Sequence, residues 1–366
     1  MSGICRQCAR RAWLMTKLSV RLDSIAGGCE QARFWSTLEL SDEELIEALG
    51  GHRRAELRAA YAEWQPIQVR LDERPQALCR HHAAYPRALR DDALGPHSLE
   101  LRGGVARLAG LLEEPVVAIV GTSRASDYGM EMARELARGL AASGITVASE
   151  LTEGIPRAVH AGALEVGGAT LVVMPGSLER CSPAWCAPLY RRILEHGSSI
   201  AESRASLRAR HWWQYASART LALLAQLVIV VEATDRSCEL ACANVARSRA
   251  RHVAAVPGRV SSPASRGTNS LLMNGARFVR EPQDALDLLF GVGIQEATST
   301  EGPPELEPRL ATVLARVNGG QDTVTKLAAS APLSGDVAVA LAELELRGLL
   351  SRGDGGRYIP CGGTFV

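Results

Sequence analysis

Val116–Gly129 reads VVAIVGTSRASDYG. Five apolar residues run into Gly121, a short polar turn follows, and an amphipathic stretch then continues over Met130–Ser143. A continuously apolar run ending in a glycine turn before a helix-period pattern predicts a buried strand, a tight turn and a helix, the opening of a doubly wound fold. The N-terminus of such a helix offers unpaired N–H groups and a positive dipole end to an anion.

The same alternation extends on both sides. Apolar strand candidates are Val116–Val120, Ile145–Ser149, Thr170–Met174, Ser199–Glu202, Leu227–Val231 and His252–Val256. Helical runs at Arg134–Ser143, Pro156–Val166, Leu189–His196 and Leu240–Arg249 lie between them, with Gly144, Gly167 and Gly197 placed to end helices. Strand and helix in turn imply right-handed crossovers and a parallel sheet. Val116–Val120 and Leu227–Val231 are apolar throughout, which predicts internal strands covered on both faces. The fold class expected is therefore α/β, an extended Rossmann-like doubly wound parallel sheet in a core spanning 76–290.

Before the core, residues 1–75 predict a helical domain. Ser41 with Glu44 three places on, ahead of Leu45, Ile46 and Leu49, is a capping-box start. After it, 291–308 reads as a polar Pro/Gly linker. Residues 309–366 predict helix, helix–turn–helix and a hairpin around GDGG, a winged-helix-like unit whose candidate second helix, Gly335–Arg347, is acidic and suits a DNA groove poorly.

The chain has 366 residues, 46% of them hydrophobic, and a formal net charge of +1, so any basic surface must be local. The sequence has no apolar run of the roughly 18 residues a membrane span needs. The basic start, MSGICRQCARRAWLM, is too interrupted for a signal peptide. A cytoplasmic protein with its nine cysteines mostly reduced is expected. Cys5 and Cys8 form a CxxC, but a zinc site needs two more ligands; Cys29, Cys79, His81 and His82 are all distant in sequence. The expectation is no metal and no cofactor.

For the ligand, a dinucleotide site needs G-x-G-x-x-G, and here Gly121 is followed by Thr122, Ser123 and Arg124; only Glu150, at a strand end, sits where a ribose-binding acid would. No P-loop motif occurs. The third reading is a polyanion surface. Arginines 204, 208, 210 and 219 flank Trp212, Trp213 and Tyr215, and arginines 236, 247, 249, 251, 259 and 266 face only Glu239. Arginines neutralise phosphates and aromatic rings stack on bases, the pairing used for single strands, although the aromatic trio fits core packing equally well.

On these residues the chain resembles the DprA/Smf DNA-processing family. The blocks that carry the resemblance are VAIVGTSRASDYG (117–129), GIPRAVHAGALEVGG (154–168), VVEATDRS (230–237), AVPGRVSSPASRGTN (255–269) and LLMNGARFV (271–279). The resemblance implies a non-enzymatic, dimeric protein that binds single-stranded DNA and hands it to a RecA-type recombinase during DNA uptake. It implies DNA or phosphate contacts at Gly121, Thr122, Ser123, Arg124, Ser149, Gly154, His160, Arg219, Ser237, Arg266, Gly267 and Asn269. The sequence departs from the family pattern at Ser123, at Glu150 in place of a glycine, at Pro156 in place of an aspartate, and at Ser217 and Ala218 beside the retained Arg219. A nucleotide-binding or nucleotide-hydrolysing core, or a repurposed scaffold with weakened DNA binding, stays open beside this reading.

Overall fold

A computed structural model of the chain describes residues 4–27, 31–65, 76–176, 178, 186–202, 211–235, 237–298, 307–329, 336–346, 349–353 and 356–360. They fall into two compact units, 1–300 and 301–366.

The first unit is organised by one nine-stranded sheet. Its strands in chain order are β1 (Gln76–Cys79), β2 (Ser98–Arg102), β3 (Val116–Val120), β4 (Thr146–Ser149), β5 (Thr170–Met174), β6 (Ser198–Ala201), β7 (Leu227–Val230), β8 (His252–Ala255) and β9 (Arg277–Phe278). The spatial order is β1-β2-β6-β5-β4-β3-β7-β8-β9. All pairings from β6 to β9 are parallel, while β1 and β2 add antiparallel strands beyond β6. β3 and β7 are internal, as their composition predicts.

The period of two decides which layer each residue joins. Val116, Ala118 and Val120 of β3 pack with the helices His211–Leu224 and Cys238–Ser248. Val117 and Ile119 pack with Asp127–Ala142, Ile155–Glu165 and Pro282–Phe290 on the other face. Both sets are buried, which is why the strand shows no polar alternation.

The N-terminal helices are Arg6–Lys17, Ser19–Ala26, Gln31–Glu39, Asp42–Leu49 and Arg54–Ala62. The capping box forms as read: Ser41 accepts from the Glu44 backbone N–H, and Glu44 accepts from that of Ser41. These helices lie against the core, sharing one hydrophobic cluster with it through Leu14, Leu22, Phe34 and Tyr215. The supposed linker also begins as part of the core, since Thr298 N–H donates to Ser143 Oγ and Gln295 to the Ser143 carbonyl.

In the second unit, Pro308–Asn318, Val324–Ala329 and Asp336–Leu346 are helices, followed by the hairpin β10 (Leu350–Arg352) and β11 (Tyr358–Pro360). Leu310, Leu327, Leu341, Leu344 and Tyr358 close its core, and Thr323 bridges to Arg357. Gly335 and Arg347, the ends read for the acidic helix, lie outside the described residues.

Candidate functional site

The carboxyl ends of β3, β4, β7 and β8 carry the turns quoted above. They meet at the point where chain order reverses between β3 and β7, the usual ligand crevice of such sheets. The turn after β3 is short of room for a ligand. A Cβ on Gly121 would come within 2.6 Å of Ile155, and one on Gly154 within 2.5 Å of the Thr122 carbonyl. Both glycines therefore serve close packing of the two turns, Gly154 also holding φ +71°.

The anion at the first helix N-terminus is supplied by the protein itself. Glu232, just past β7 and buried, accepts from Ser126 N–H (2.9 Å) and Ser126 Oγ (2.5 Å), while Ser126 caps the helix Asp127–Ala142. Thr122 N–H donates to the Glu232 carbonyl and Gly267 N–H to that of Ala233. The N–H groups of Thr122 and Gly267, two of the residues implied as phosphate contacts, are thus already engaged, and a pyrophosphate would have to displace Glu232.

Several of the residues implied by resemblance are structural in this fold. Ser149 Oγ donates to the Ile119 carbonyl from a buried position. His160 is fully buried; its Nε2 donates to the Glu150 carbonyl (2.8 Å) and Nδ1 meets Thr170 Oγ1 (2.7 Å). Burial pulls its pKa down to about 4, so the ring is neutral. Arg219, only 4% exposed, is ion-paired with Glu202 beneath the N-terminal helices, and its guanidinium is not presented to a phosphate. Asn269 exchanges hydrogen bonds with the N–H and carbonyl of Gly258, orienting the turn after β8. Trp212, Trp213 and Tyr215 are core residues, with Phe34 5.7 Å from Tyr215.

Beside the turns lies a small pocket lined by Gly121, Glu150, Pro156, Cys238, Glu239 and Cys242. Glu150 accepts from Ser217 Oγ, and burial with Glu239 nearby pushes its pKa up to about 7 despite that bond. The two replacements noted in sequence, Glu150 and Ser217, have become partners in an acidic pocket.

On the rim the chemistry is the opposite. Ser123, Arg124, Arg259 and Arg266 are exposed, and Ser237, which precedes the helix Cys238–Ser248 and donates from Oγ to the Thr234 carbonyl, is half-buried. None of these three arginines has an ion-pair partner among the described residues; Asp127 and Asp235 are the exposed acids on the same turns. Tyr128, 47% exposed, donates from Oη to the Pro257 carbonyl (3.0 Å) and so ties the first turn to the loop holding Arg259. Sequence reading gave Tyr128 and Glu232 no role, although both stand in quoted blocks. Arg247, Arg249 and Arg251 sit at the other end of β8, toward its amino end, where Arg249 pairs with Asp92 and Glu39. The basic windows are therefore not one surface. Arginines 204, 208, 210 and 236 and Cys29 lie outside the described residues.

The sequence model of the family described as DNA recombination-mediator protein A matches residues 76–290. The chain is 36% identical over 248 residues to the putative DNA processing protein DprA of Mycobacterium tuberculosis, covering 65% of this chain and 62% of that protein. Less than two thirds of that relative's length is therefore spanned. Among solved structures, DNA processing protein A of Streptococcus pneumoniae aligns with a TM-score of 0.58 and 25% identity, over 74% of this chain and 96% of that one. DNA processing protein A of Helicobacter pylori, whose structure is described as giving insight into a unique single-stranded DNA binding mode, aligns with a TM-score of 0.50 and 26% identity over 56% and 92%.

Proposed function

Because the chain belongs to the DNA recombination-mediator protein A family, we propose that it binds single-stranded DNA along the rim of its sheet and passes the strand to a RecA-type recombinase in the cytoplasm. The observation that carries this reading is the grouping of exposed Arg124, Arg259 and Arg266, unpaired among the described residues, around exposed Tyr128 on turns that hydrogen bonds lock together. Cations that follow a backbone and a ring that stacks on a base are what a single strand requires. The Helicobacter relative's described single-strand binding supports the ligand class. No reacting group is assigned, and the role is binding rather than catalysis.

Among the residues proposed from resemblance, Ser123, Arg124, Ser237 and Arg266 are positioned for contact. Gly121, Thr122, Ser149, Gly154, His160, Gly267 and Asn269 shape the turns, and Arg219 stabilises the interior. The acidic pocket keeps phosphates out of the crevice, and Asp127 and Asp235 temper the rim, so the affinity proposed is modest.

Dimerisation is proposed through the β9 end of the sheet. Phe278 is 50% exposed on this outermost strand, and Met273 (89%) is exposed at the end of the helix Arg266–Met273 that leads into it. A second copy there would give one strand two rims and raise the effective concentration of the second rim. The 301–366 unit, proposed to be a winged helix, serves a partner other than the strand.

The test is titration of labelled single strands at two salt concentrations, with mononucleotides in parallel and sedimentation of the same samples. Oligonucleotide binding that weakens steeply with salt, by a dimer, is expected. Salt-insensitive binding of a mononucleotide, with none to oligonucleotides, would sink the reading. No helix among the described residues is long and apolar enough to cross a membrane.

A further inference from the structure

At the junction of the N-terminal helices with β1, four soft or borderline ligands converge. Cys5, Cys8, Cys79 and His81 each offer one ligand atom, and all four atoms lie within 4.8 Å of one another. Cys5 Sγ is 3.3 Å and Cys8 Sγ 3.4 Å from His81 Nδ1. A tetrahedron with Zn–S of about 2.3 Å and Zn–N of about 2.0 Å has edges of about 3.5–3.8 Å, so the ligands need to draw in by no more than about 1 Å.

The two pairs are presented by rigid local structure. Cys5 is the N-cap of the helix Arg6–Lys17 and Cys8 lies in its first turn, so the i,i+3 spacing puts both sulfurs on one side. The positive end of the helix favours thiolates there. Cys79 ends β1, and His81 follows in a turn closed by His82 N–H to the Cys79 carbonyl (2.8 Å). Arg90 fastens that turn by donating to the carbonyls of Arg80, His82, Ala83 and Tyr85. Cys5 N–H points at Cys79 Sγ (3.4 Å), a contact that stabilises a sulfur carrying negative charge. His82, the neighbouring histidine, is committed elsewhere, its Nδ1 accepting from Ala84 N–H.

We propose that Cys5, Cys8, Cys79 and His81 bind one zinc ion that clamps the first helix to the edge strand β1. Three thiolates and one imidazole with no acidic oxygen is a closed structural set, which selects zinc over magnesium or calcium. The clamp joins positions 74 residues apart. It thereby holds the N-terminal helices over the buried Arg219–Glu202 pair and the helix His211–Leu224. Binding displaces the thiol protons and leaves the oxidation state of sulfur and metal unchanged.

The test uses the full chain, purified under reducing conditions without chelator and without a histidine tag. Elemental analysis should find one zinc per chain. Cobalt substitution of the wild type should give the intense visible bands of a tetrahedral site with thiolate charge transfer. Loss of one ligand should cost more than the roughly 10- to 100-fold that loss of an outer-shell partner costs, so His81→Ala should weaken zinc binding at least about a hundredfold. His82→Ala and Cys242→Ser should keep one zinc per chain. Removing zinc should speed proteolytic release of the N-terminal helices. A wild-type chain that takes up no zinc, gives a six-coordinate cobalt spectrum, holds iron instead, or is isolated with Cys79 in a disulfide to Cys5 or Cys8 would overturn the proposal. So would one zinc per chain retained by a Cys5→Ser/Cys79→Ser double variant.

Discussion

The pocket behind the turns and the rim in front of them are built from the same strand ends and carry opposite chemistry. Behind, Glu150 and Glu239 face one another across a small cleft, and Glu232 fills the helix N-terminus where a phosphate would bind. In front, Arg124, Arg259 and Arg266 have no ion-pair partner among the described residues and Tyr128 is half in solvent. The difference teaches that a doubly wound scaffold can keep its turns while giving up its crevice. Gly121 and Gly154 let the two turns pack closely, and the side chains of His160 and Asn269 bond neighbouring backbone, which is a demand of packing and not of ligand. Any polyanion is left with the rim.

The largest effect should come from the interior arginine that sequence reading assigned to DNA. Arg219 and Glu202 form a buried ion pair, and Thr220 also donates to Glu202. Removing one partner strands a buried charge, a change that costs about 3–5 kcal/mol. Arg219→Ala is therefore expected to lower unfolding free energy by that amount in a denaturant titration. The same variant should leave the salt dependence of strand binding unaltered in the folded fraction. A variant of wild-type stability whose salt slope is flatter by about 0.7, the share of one phosphate on a single strand, would put Arg219 on the DNA path.

Next in size is the rim itself. Each phosphate that a side chain neutralises on a single strand adds about 0.7 to the steepness of the salt dependence. Arg124→Ala/Arg259→Ala/Arg266→Ala should thus flatten the slope by about 2 and weaken binding on the order of a hundredfold at low salt. Thermal stability should be unchanged, because the three side chains are exposed. Unchanged strand affinity in this variant would mean that the rim is not the interface.

Tyr128→Ala tests the aromatic half of the surface. Base stacking is worth about 1–3 kcal/mol per base, so a loss of roughly tenfold is expected. Tyr128→Phe should retain most of the affinity, since it keeps the ring and gives up only the bond to Pro257. Equal losses in both variants would assign the effect to the 257 loop, which that bond positions.

How much of this was legible in the sequence varies with the kind of signal. β3, β5 and β7 were readable because both their faces are covered, leaving unbroken apolar runs. β2 was not: Ser98-Leu99-Glu100-Leu101-Arg102 alternates like a half-exposed strand, yet Glu100 is buried and accepts from Leu178 N–H. A buried charge with a tertiary partner defeats periodicity. β9 is only two residues long, too short for any pattern. The arginine windows misled because density along a chain is not adjacency in space; the helix Cys238–Ser248 brings Arg247, and Arg249 just past it, to the amino end of β8, away from Arg266 beyond its carboxyl end. Cys5 and Cys8 were visible as a pair, whereas Cys79 and His81 join them only through the packing of the first helix beside β1.

The smallest expected effect probes the pocket against the rim directly. Glu150 has a folded pKa of about 7, above its ordinary value of 4.5, because its half-buried position in the pocket costs the charged form solvation and Glu239 lies nearby. A raised carboxyl pKa means that the folded state holds its proton more tightly than the unfolded chain. The associated stability is complete below pH 4.5 and is lost progressively as the pH rises through about 7. Glu150→Gln removes the ionisable group and should abolish that decline. A shift of this size is worth at most about 3.4 kcal/mol, and the residue's partial exposure lowers the expected gain at pH 8 to about 1 kcal/mol. Unfolding curves at pH 5 and pH 8 measure it, with the wild type alone losing stability between the two. On the DNA side the same substitution should change strand affinity less than about twofold at ordinary ionic strength, because a phosphate on the rim is screened from the pocket. A gain of tenfold or more would place a phosphate against Glu150 and return the crevice, not the rim, to the path of the strand.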